Sequence, residues 1–377
     1  MATGIIINPD KLKEAREARA YNITQLAELV GVTRQAMSKY EKGNSNISIG
    51  ILTKISDVLD FPRSFFLKPT EDIPSVGTVF YRSMKSSEAN VRNMIHIKCR
   101  WAYHFYNYLE NIITMPEVNL PNFDNILNNH DDLTYEKINE VANYLRGYWQ
   151  LGKRPIGNLI QLLEQNGFIV SGGKINADKT DACSEMIGNK PVIFYDKTLK
   201  SACRIRFSLA HELGHMILHS YITKEDLEDK DTLKRIEKEA NTFASCFLLP
   251  ENFMLDVYST SLESFLYLKE KWKVSIGAMI YRCKDLKIIG DSQYLSLRKK
   301  ISYKHWVKVE PLDDIIPYEK TSLFKQAINF IIDNLSITKY DIVNHFSLNK
   351  KDLSDIVGVP TQFWEDDSFT PKFQIIK

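Results

Sequence analysis

The length, composition and charge of this chain set broad limits on what it can be. Its 377 residues suggest two or three domains. A hydrophobic fraction of 44% and a charged fraction of 25% are ordinary for globular protein, and a net charge of +2 requires neither a nucleic-acid nor an anionic-membrane partner. No apolar run approaches the ~20 residues of a membrane span, and no secretory pattern is visible at the N-terminus. The five widely spaced cysteines indicate free thiols in a reducing cytoplasm and argue against a cysteine-based metal site.

Residues 9–69 carry the pattern of short helices joined by a glycine turn. Thr24 can cap one helix, Gly31 can end it in a left-handed turn and Thr33 can cap the next helix. The residue types on the outer face of that second helix can contact base edges and phosphates, and a glutamine at the start of the first helix is placed for a phosphate contact. The residues expected to contact DNA are Gln25, Thr33, Arg34, Gln35, Ser38 and Lys39.

This stretch resembles the Cro/C1-type (XRE) helix-turn-helix family over about one-sixth of the chain. The resemblance implies a five-helix DNA-binding domain at residues 1–69. Residues 9–69 hold ten basic and seven acidic residues, a net charge of only +3. Few phosphate contacts are therefore expected for each chain, and tight binding would need a homodimer or a second contact surface. The alternative is a helix-turn-helix that contacts only protein.

A connecting region at residues 70–130 contains a helix rich in aromatics, 92–114, which we interpret as core and not as a ligand platform. Thr134 should cap a helix that runs to residue 150. Residues 185–187 and 192–195 flank Gly188 and predict a hairpin. An edge strand of this small sheet could hold an extended peptide by main-chain hydrogen bonds. The whole chain is therefore expected to be mainly α with a small β-sheet, an α+β fold.

The most specific motif is His-Glu-x-x-His at residues 211–215, within a run that is apolar on nearly all sides. In a helix, His211 and His215 share one face, at the spacing that lets two imidazoles bind one zinc ion. Glu212 is then placed to accept a proton from the attacking water. The alternative is a pair of core histidines bonded to backbone. Gly214 argues against it, because a glycine within a helix costs about 1 kcal/mol and usually has a packing or functional reason.

A second amphipathic helix is expected at residues 232–249, before Pro250. Glu237 and Asn241 lie four residues apart on this helix. We predict Glu237 as the third zinc ligand and Asn241 as the residue that holds a ligand histidine by its other ring nitrogen. Glu239 is the rival ligand, but it points about 200° away around the helix. The alternative for Glu237 is a solvated carboxylate within a charged run.

The run 211–219, followed by residues 237–245 and 248–250, resembles the ImmA/IrrE family of zinc metallopeptidase domains. The resemblance implies Zn²⁺ held by His211, His215 and Glu237, with Glu212 as the catalytic base, in a zincin-like domain at residues 131–300. Residues 267–285 are expected to be helical. A helical extension at 301–377 includes a stretch, 338–353, that is faintly similar to a second helix-turn-helix, although a protein-contact bundle is the favoured interpretation.

Together these motifs predict a cytoplasmic, homodimeric regulator that binds operator DNA and carries a zinc-dependent peptidase domain. By resemblance, the peptidase would cleave a repressor with its own helix-turn-helix, or another regulatory protein, in a stress response or in mobile-element control. Arg204, Arg206 and Tyr281 are candidates to stabilise the oxyanion. The alternative is a helix-turn-helix repressor whose peptidase-like domain is a non-cleaving sensor or scaffold. A third possibility is an interaction partner that uses its helix-turn-helix to dimerise.

Overall fold

The computed structural model describes residues 5–71, 74, 89–127, 133–175, 180–223 and 225–365. The fold is mainly helical with one three-stranded sheet, which confirms the expected α+β class. The described residues within 1–74, 88–115 and 321–377 form a first compact unit, and those within 116–320 form a second. Among the described residues, no helix is both long and apolar enough to cross a membrane.

The elements succeed one another with short connections in most places. In chain order they are α1 (Pro9–Ala18), α2 (Ile23–Val30), α3 (Arg34–Glu41), α4 (Ile49–Leu59), α5 (Ala89–Glu110), α6 (Tyr135–Tyr148), α7 (Leu159–Gln165), β1 (Ile169–Gly173), β2 (Ala182–Ile187), β3 (Lys190–Asp196), α8 (Ala202–Leu218), α9 (Lys230–Leu248), α10 (Leu262–Trp272), α11 (Ile276–Asp285), α12 (Asp291–Tyr303), α13 (Leu323–Asn334), α14 (Lys339–Phe346) and α15 (Lys350–Val357). Short 3-10 helices occur at Arg63–Leu67, Asp226–Glu228, Glu251–Asp256 and Thr361–Trp364.

The N-terminal domain has α1 to α4 and, as its fifth element, the 3-10 helix at Arg63–Leu67. The turn between α2 and α3 forms as predicted, because Gly31 has a φ of 77° and the Thr33 side chain accepts a hydrogen bond from a backbone N–H of α3. The expected cap at Thr24 is wrong. Asn22 caps α2 instead, because Asn22 and Gln25 form a capping box in which each side chain accepts a bond from the other's backbone N–H.

The aromatic helix α5 is core, as predicted. Trp101, Phe105 and Tyr106 are buried, and the ring of Phe105 stacks on that of Phe346 in α14 with centroids 4.9 Å apart. α5 also packs against α1, α13 and α15. It therefore joins the N-terminal helices to helices that follow more than 200 residues later in the sequence.

This grouping differs from the consecutive segments expected from the sequence. α5 falls in the expected connecting region, 70–130, and α13 to α15 fall in the expected extension, 301–377, yet all of them pack within the first unit. The second unit is inserted between α5 and α13 in the chain. Residues 72–73, 75–88 and 128–130 of the expected connecting region lie outside the described residues, and the domain boundaries stay a prediction.

The second unit places its small sheet against the helix that carries the His-Glu-x-x-His motif. The strand order is β1-β3-β2, with β3 parallel to β1 and antiparallel to β2 in the expected hairpin. α8 packs on β2 and β3 and lies against α9, which also packs on α6. The single helix expected at 267–285 is wrong. Lys273 adopts a left-handed φ of 52°, which ends α10, and Ser275 caps α11.

Candidate metal centre

Three side chains from α8 and α9 bring potential ligand atoms together. The Nε2 atoms of His211 and His215, one turn apart on α8, are separated by 3.0 Å. Glu237 of α9 reaches both rings: its Oε2 lies 3.6 Å from Nε2 of His211, and its Oε1 lies 3.2 Å from Nε2 of His215. The three residues offer ligand atoms that all lie within 4.8 Å of one another. The helical phase predicted for Glu237 is the one the structure has.

The spacing of these atoms fits a tetrahedral metal ion. Bonds of about 2.0–2.1 Å at tetrahedral angles separate neighbouring ligand atoms by about 3.3–3.4 Å. The observed separations of 3.0, 3.2 and 3.6 Å scatter around that distance. Two imidazoles and one carboxylate are also a ligand set of catalytic zinc, with a fourth position left for water or substrate. The residues present therefore fit Zn²⁺.

Asn241 lies beside the first histidine, one turn after Glu237 on α9. The amide oxygen of Asn241 is 3.1 Å from Nδ1 of His211. If Nε2 of His211 faces a metal, its proton sits on Nδ1, and this contact becomes a hydrogen bond donated to Asn241. The structure thus brings Asn241 to the place predicted for it, and its role in holding the ligand stays a prediction.

A second chain of contacts, which was not predicted from the sequence, holds the other histidine. The Nδ1 atoms of His215 and His219 lie 3.0 Å apart, and Nε2 of His219 lies 2.8 Å from Oε2 of Glu239. Burial lowers the pKa of His219, which keeps the ring neutral and able to accept at one nitrogen while donating at the other. Glu239 also accepts a bond from Arg235. Glu239, the rival ligand considered from the sequence, therefore contacts His215 through His219. The available signal was a third histidine four residues after the second.

The close approach of α8 and α9 depends on Gly214. A Cβ at this position would lie 3.0 Å from Cδ1 and 3.2 Å from Cβ of Phe243, which is fully buried. The phenyl ring of Phe243 packs directly over the glycine, so the two helices can approach closely enough for Glu237 to reach the histidines. This packing explains why a glycine stands within the helix at position 214.

Glu212 faces the sheet side of α8 and is nearly fully buried. The hydroxyl of Ser184, on the edge strand β2, donates a hydrogen bond of 2.7 Å to Oε2 of Glu212. Burial raises the pKa of Glu212 to about 7, and hydrogen bonds from the hydroxyl and backbone of Ser184 oppose the rise. A carboxyl group with a pKa near neutrality is suited both to accept and to return a proton. Ser184 was not anticipated from the sequence.

An open cavity of about 690 Å³ borders the cluster, with Glu237 and Asn241 in its wall. Tyr281 of α11 lines the same cavity and is partly exposed. The two arginines considered with it are engaged elsewhere. Arg204 forms a bidentate ion pair with Asp181, and buried Arg206 bonds to Glu319 and to a backbone carbonyl. Of the three candidates to stabilise an oxyanion, Tyr281 alone lines this cavity.

The residues expected to contact DNA lie on α3 and at the start of α2. Arg34, Gln35 and Lys39 are exposed, whereas Ser38 is half-buried. Thr33 and Gln25 each use a side-chain oxygen to cap a helix, α3 and α2 respectively. The structure therefore gives these two residues local structural roles besides the DNA contacts predicted for them.

Fold and site together describe a helix-turn-helix domain and, in the same chain, a helix pair that carries a candidate metal centre. Comparison with known families agrees: residues 12–66 match the helix-turn-helix family, and residues 170–284 match the Peptidase_M78 family, described as an IrrE N-terminal-like domain. Both resemblances noted from the sequence are confirmed. The chain thus carries one domain of each family.

Curated relatives match over short segments and are named as regulators. A putative HTH-type transcriptional regulatory protein of Pyrococcus furiosus is 38% identical over 56 residues, which cover 15% of this chain and 18% of that protein. The SPbeta prophage-derived uncharacterized HTH-type transcriptional regulator YonR of Bacillus subtilis is 36% identical over 61 residues, 16% of this chain and 56% of YonR. The uncharacterized HTH-type transcriptional regulator y4aM of Sinorhizobium fredii is 35% identical over 68 residues, 18% of this chain and 48% of y4aM. The chain therefore spans well under two thirds of each.

Proposed function

We propose that this chain is a DNA-binding transcriptional regulator whose zinc-dependent peptidase domain cleaves another regulatory protein, such as a helix-turn-helix repressor, in a stress response or in mobile-element control. The observation that carries the proposal is the convergence of His211, His215 and Glu237 on one point, with the buried Glu212 next to the first of them in the chain. The helix-turn-helix domain in the same chain favours gene control over general peptide breakdown.

His211, His215 and Glu237 would hold the Zn²⁺. A zinc ion in such a site lowers the pKa of its water towards ~7 and polarises a carbonyl group. Glu212 accepts the proton of the attacking water and returns it to the amine of the leaving peptide. Ser184 holds the carboxylate of Glu212 in place while it does so. Asn241 and His219 fix the rings of the two histidines, which limits how far the ligand atoms can move.

The position of strand β2 favours a peptide as the substrate. Among the strands that the structure describes, β2 is at one edge of the sheet; it packs against α8 and carries Ser184, whose hydroxyl bonds to Glu212. An extended peptide that ran along this edge would present its backbone beside the proposed base. The wall of the 690 Å³ cavity supplies Tyr281, whose hydroxyl is the candidate to stabilise the developing oxyanion.

Glu212→Gln tests the peptidase proposal. The variant should keep its zinc, because Glu212 is not one of the proposed ligands, and should lose cleavage of any co-expressed helix-turn-helix repressor that the wild-type chain cleaves. Glu228→Gln, an exposed glutamate in the 3-10 helix after α8, is the matched control and should cleave as wild type does. Cleavage by Glu212→Gln at the wild-type rate would remove Glu212 from the mechanism.

The names of the relatives favour a second candidate function. All three relatives described above are named as transcriptional regulators. In this reading the second unit binds zinc but serves as a sensor or scaffold. Wild-type protein that binds DNA and zinc, and leaves every co-expressed candidate substrate intact, would support this reading over the peptidase.

The DNA-binding part of the proposal rests on the exposed face of α3. Arg34→Ala with Gln35→Ala should abolish sequence-specific binding, because each good bidentate base contact contributes about 1–3 kcal/mol of discrimination. Lys54→Ala, at an exposed position on α4, is the control for loss of a positive charge in the same domain. Unchanged sequence-specific binding by the double variant, measured by fluorescence anisotropy, would remove α3 as the recognition helix.

A further inference from the structure

The C-terminal helices α14 and α15 repeat the lengths, caps and left-handed turn residue of α2 and α3 at the same spacing. All four helices are eight residues long. The N-cap of the first helix, the left-handed residue that ends it and the N-cap of the second helix are Asn22, Gly31 and Thr33 in one pair and Thr338, Ser347 and Asn349 in the other. The offset is the same at each position: 338 − 22, 347 − 31 and 349 − 33 all give 316.

Two further features of the pairs agree. Both first helices begin with a capping box, closed by Gln25 in α2 and by Asp341, its counterpart at the same offset, in α14. The central core residues also correspond, because Met37 and its counterpart Leu353 are both fully buried. A shared register of caps, turn and core is the mark of one supersecondary motif. Residues 338–357 therefore share the caps, turn and core register of a helix-turn-helix, although α14 packs less closely on α15 than α2 does on α3.

The outer face of the second motif is chemically different from that of the first. Ser354, the counterpart of Ser38, is buried and accepts a hydrogen bond of 3.1 Å from the indole of Trp364 in the 3-10 helix that follows. Asp355 stands where the first motif has Lys39, which places a negative charge at a position suited to phosphate. The second motif has thus lost half of the face that reads DNA in the proposed function.

The second motif is instead bound to the N-terminal helices. Asp352 of α15 is buried and forms ion pairs with Arg19 at the end of α1, at 2.7 Å, and with Lys98 of α5. Burial by itself raises the pKa of Asp352, but the cations of Lys98 and Arg19 bring that pKa down to about 2. The cap residue Asn349 also donates from its side chain to the backbone oxygen of Asp60 at 2.6 Å and to its carboxylate at 2.9 Å.

We infer that residues 338–357 are a second helix-turn-helix motif whose partner is the N-terminal helix-turn-helix domain of the same chain and not DNA. The contacts of Asp352 and Asn349 hold the motif against the N-terminal helices, while buried Ser354 and the carboxylate of Asp355 replace two of the four groups that α3 would offer to DNA. One chain therefore holds two paired motifs, of which only α2–α3 reads a half-site, and a second copy of the chain is not needed to complete the pair.

A double variant in the second motif, matched to the Arg34→Ala with Gln35→Ala variant of the first, tests which motif contacts DNA. The probe is a duplex that the wild-type chain selects from a random pool. Lys350→Ala with Lys351→Ala, at the counterparts of Arg34 and Gln35, should change the dissociation constant less than about twofold and leave its salt dependence unaltered. A tenfold or greater loss, or a flatter salt dependence, would make the second motif a DNA reader and overturn the inference. This arm rests on the proposed DNA binding of α3.

Two measurements on the full chain, made without DNA, test whether the second motif packs on the N-terminal domain of the same chain. Asp352→Asn should lower the unfolding temperature of the first unit by about 5 °C or more, because it leaves buried cations without their carboxylate. Asp333→Asn, at an exposed position on α13, is the control and should change it little. Light scattering should give the mass of one chain, 43.6 kDa. Equal effects of the two substitutions, or a stable dimer, would overturn the inference even if the wild-type chain binds no DNA.

Discussion

The Nδ1 atom of His215, in the last turn of α8, lies 3.0 Å from Nδ1 of His219, the residue that caps the helix C-terminus, and His219 in turn contacts the carboxylate of Glu239. This contact fixes the tautomers once His215 binds metal through Nε2. Nδ1 of His215 then carries a proton and donates it to His219, and Nε2 of His219 donates to Glu239. A buried carboxylate on α9 would thus set the orientation of the proposed ligand His215 on α8.

His219→Ala should weaken zinc binding by about 10–100-fold, the usual cost of losing a residue that orients a ligand. Glu239→Gln should weaken zinc binding by a smaller factor. The amide oxygen of glutamine can still accept the hydrogen bond from His219, so only the negative charge is lost. Competition with a chelator of known affinity measures both effects. Wild-type zinc affinity in His219→Ala, with the helical circular dichroism retained, would contradict a role for this contact chain.

Gly214→Ala should destabilise the second unit despite the higher helix propensity of alanine. The added methyl would meet Phe243 at 3.0–3.2 Å in a fully buried position, and overpacking of this kind costs about 1–3 kcal/mol. Gly147→Ala in α6 is the control, because nothing lies within 4 Å of its Cβ position and alanine there should stabilise by up to about 1 kcal/mol. Thermal unfolding gives both values, and stabilisation by Gly214→Ala would contradict the packing argument.

Ser184→Ala should move the acid limb of the pH–rate profile to higher pH. Glu212 must be ionised to accept a proton, and the Ser184 hydroxyl lowers its pKa by bonding to the carboxylate. Loss of that bond raises the pKa, so the base is active only at higher pH. Ser184→Thr keeps a hydroxyl and should restore the wild-type profile. An unshifted limb in Ser184→Ala would show that the serine has only a packing role.

Asp285 makes the stability of the second unit depend on pH. Burial raises its pKa from 3.8 to about 6, although Arg282, Lys284 and Lys238 oppose the rise. The folded state therefore binds this proton more tightly than the unfolded state, so the contribution of Asp285 to stability is largest below pH 3.8 and is lost as the pH rises through about 6.

Asp285→Asn should remove this fall, which denaturant unfolding at about pH 4 and about pH 7 will measure. Asp314→Asn, an exposed carboxylate before the last segment of the second unit, is the matched control. The change in the free energy of unfolding between the two pH values should be smaller in Asp285→Asn than in Asp314→Asn. Equal pH dependence in both variants and the wild type would contradict a raised pKa at Asp285.

The sequence was most informative where function follows from local spacing. The four-residue interval between His211 and His215, and the helical phase of Glu237, predict side-chain directions without knowledge of the fold. Gly31 and Thr33 mark the turn of the helix-turn-helix by the same kind of local rule. These features required only the geometry of one helix or one turn.

The features that were not predicted depend on contacts between residues distant in the sequence, or on local conformations that the residue type does not indicate. The pairing of His219 with Glu239 and of Ser184 with Glu212 joins residues 20 and 28 positions apart, on different elements. Lys273 breaks the expected helix in a left-handed conformation, which lysine rarely adopts. The packing of α15 on α5 joins segments that are separated in the chain by the whole second unit.

The central claim is that His211, His215 and Glu237 bind one zinc ion, and metal analysis of the purified chain tests it most directly. Elemental mass spectrometry should find about one zinc per chain in the wild type and in Glu212→Gln. Glu237→Ala should lose most of its zinc, whereas Glu228→Ala, the exposed control, should retain it. Wild-type protein without zinc, or a Glu237→Ala variant that holds as much zinc as the wild type, would contradict the account.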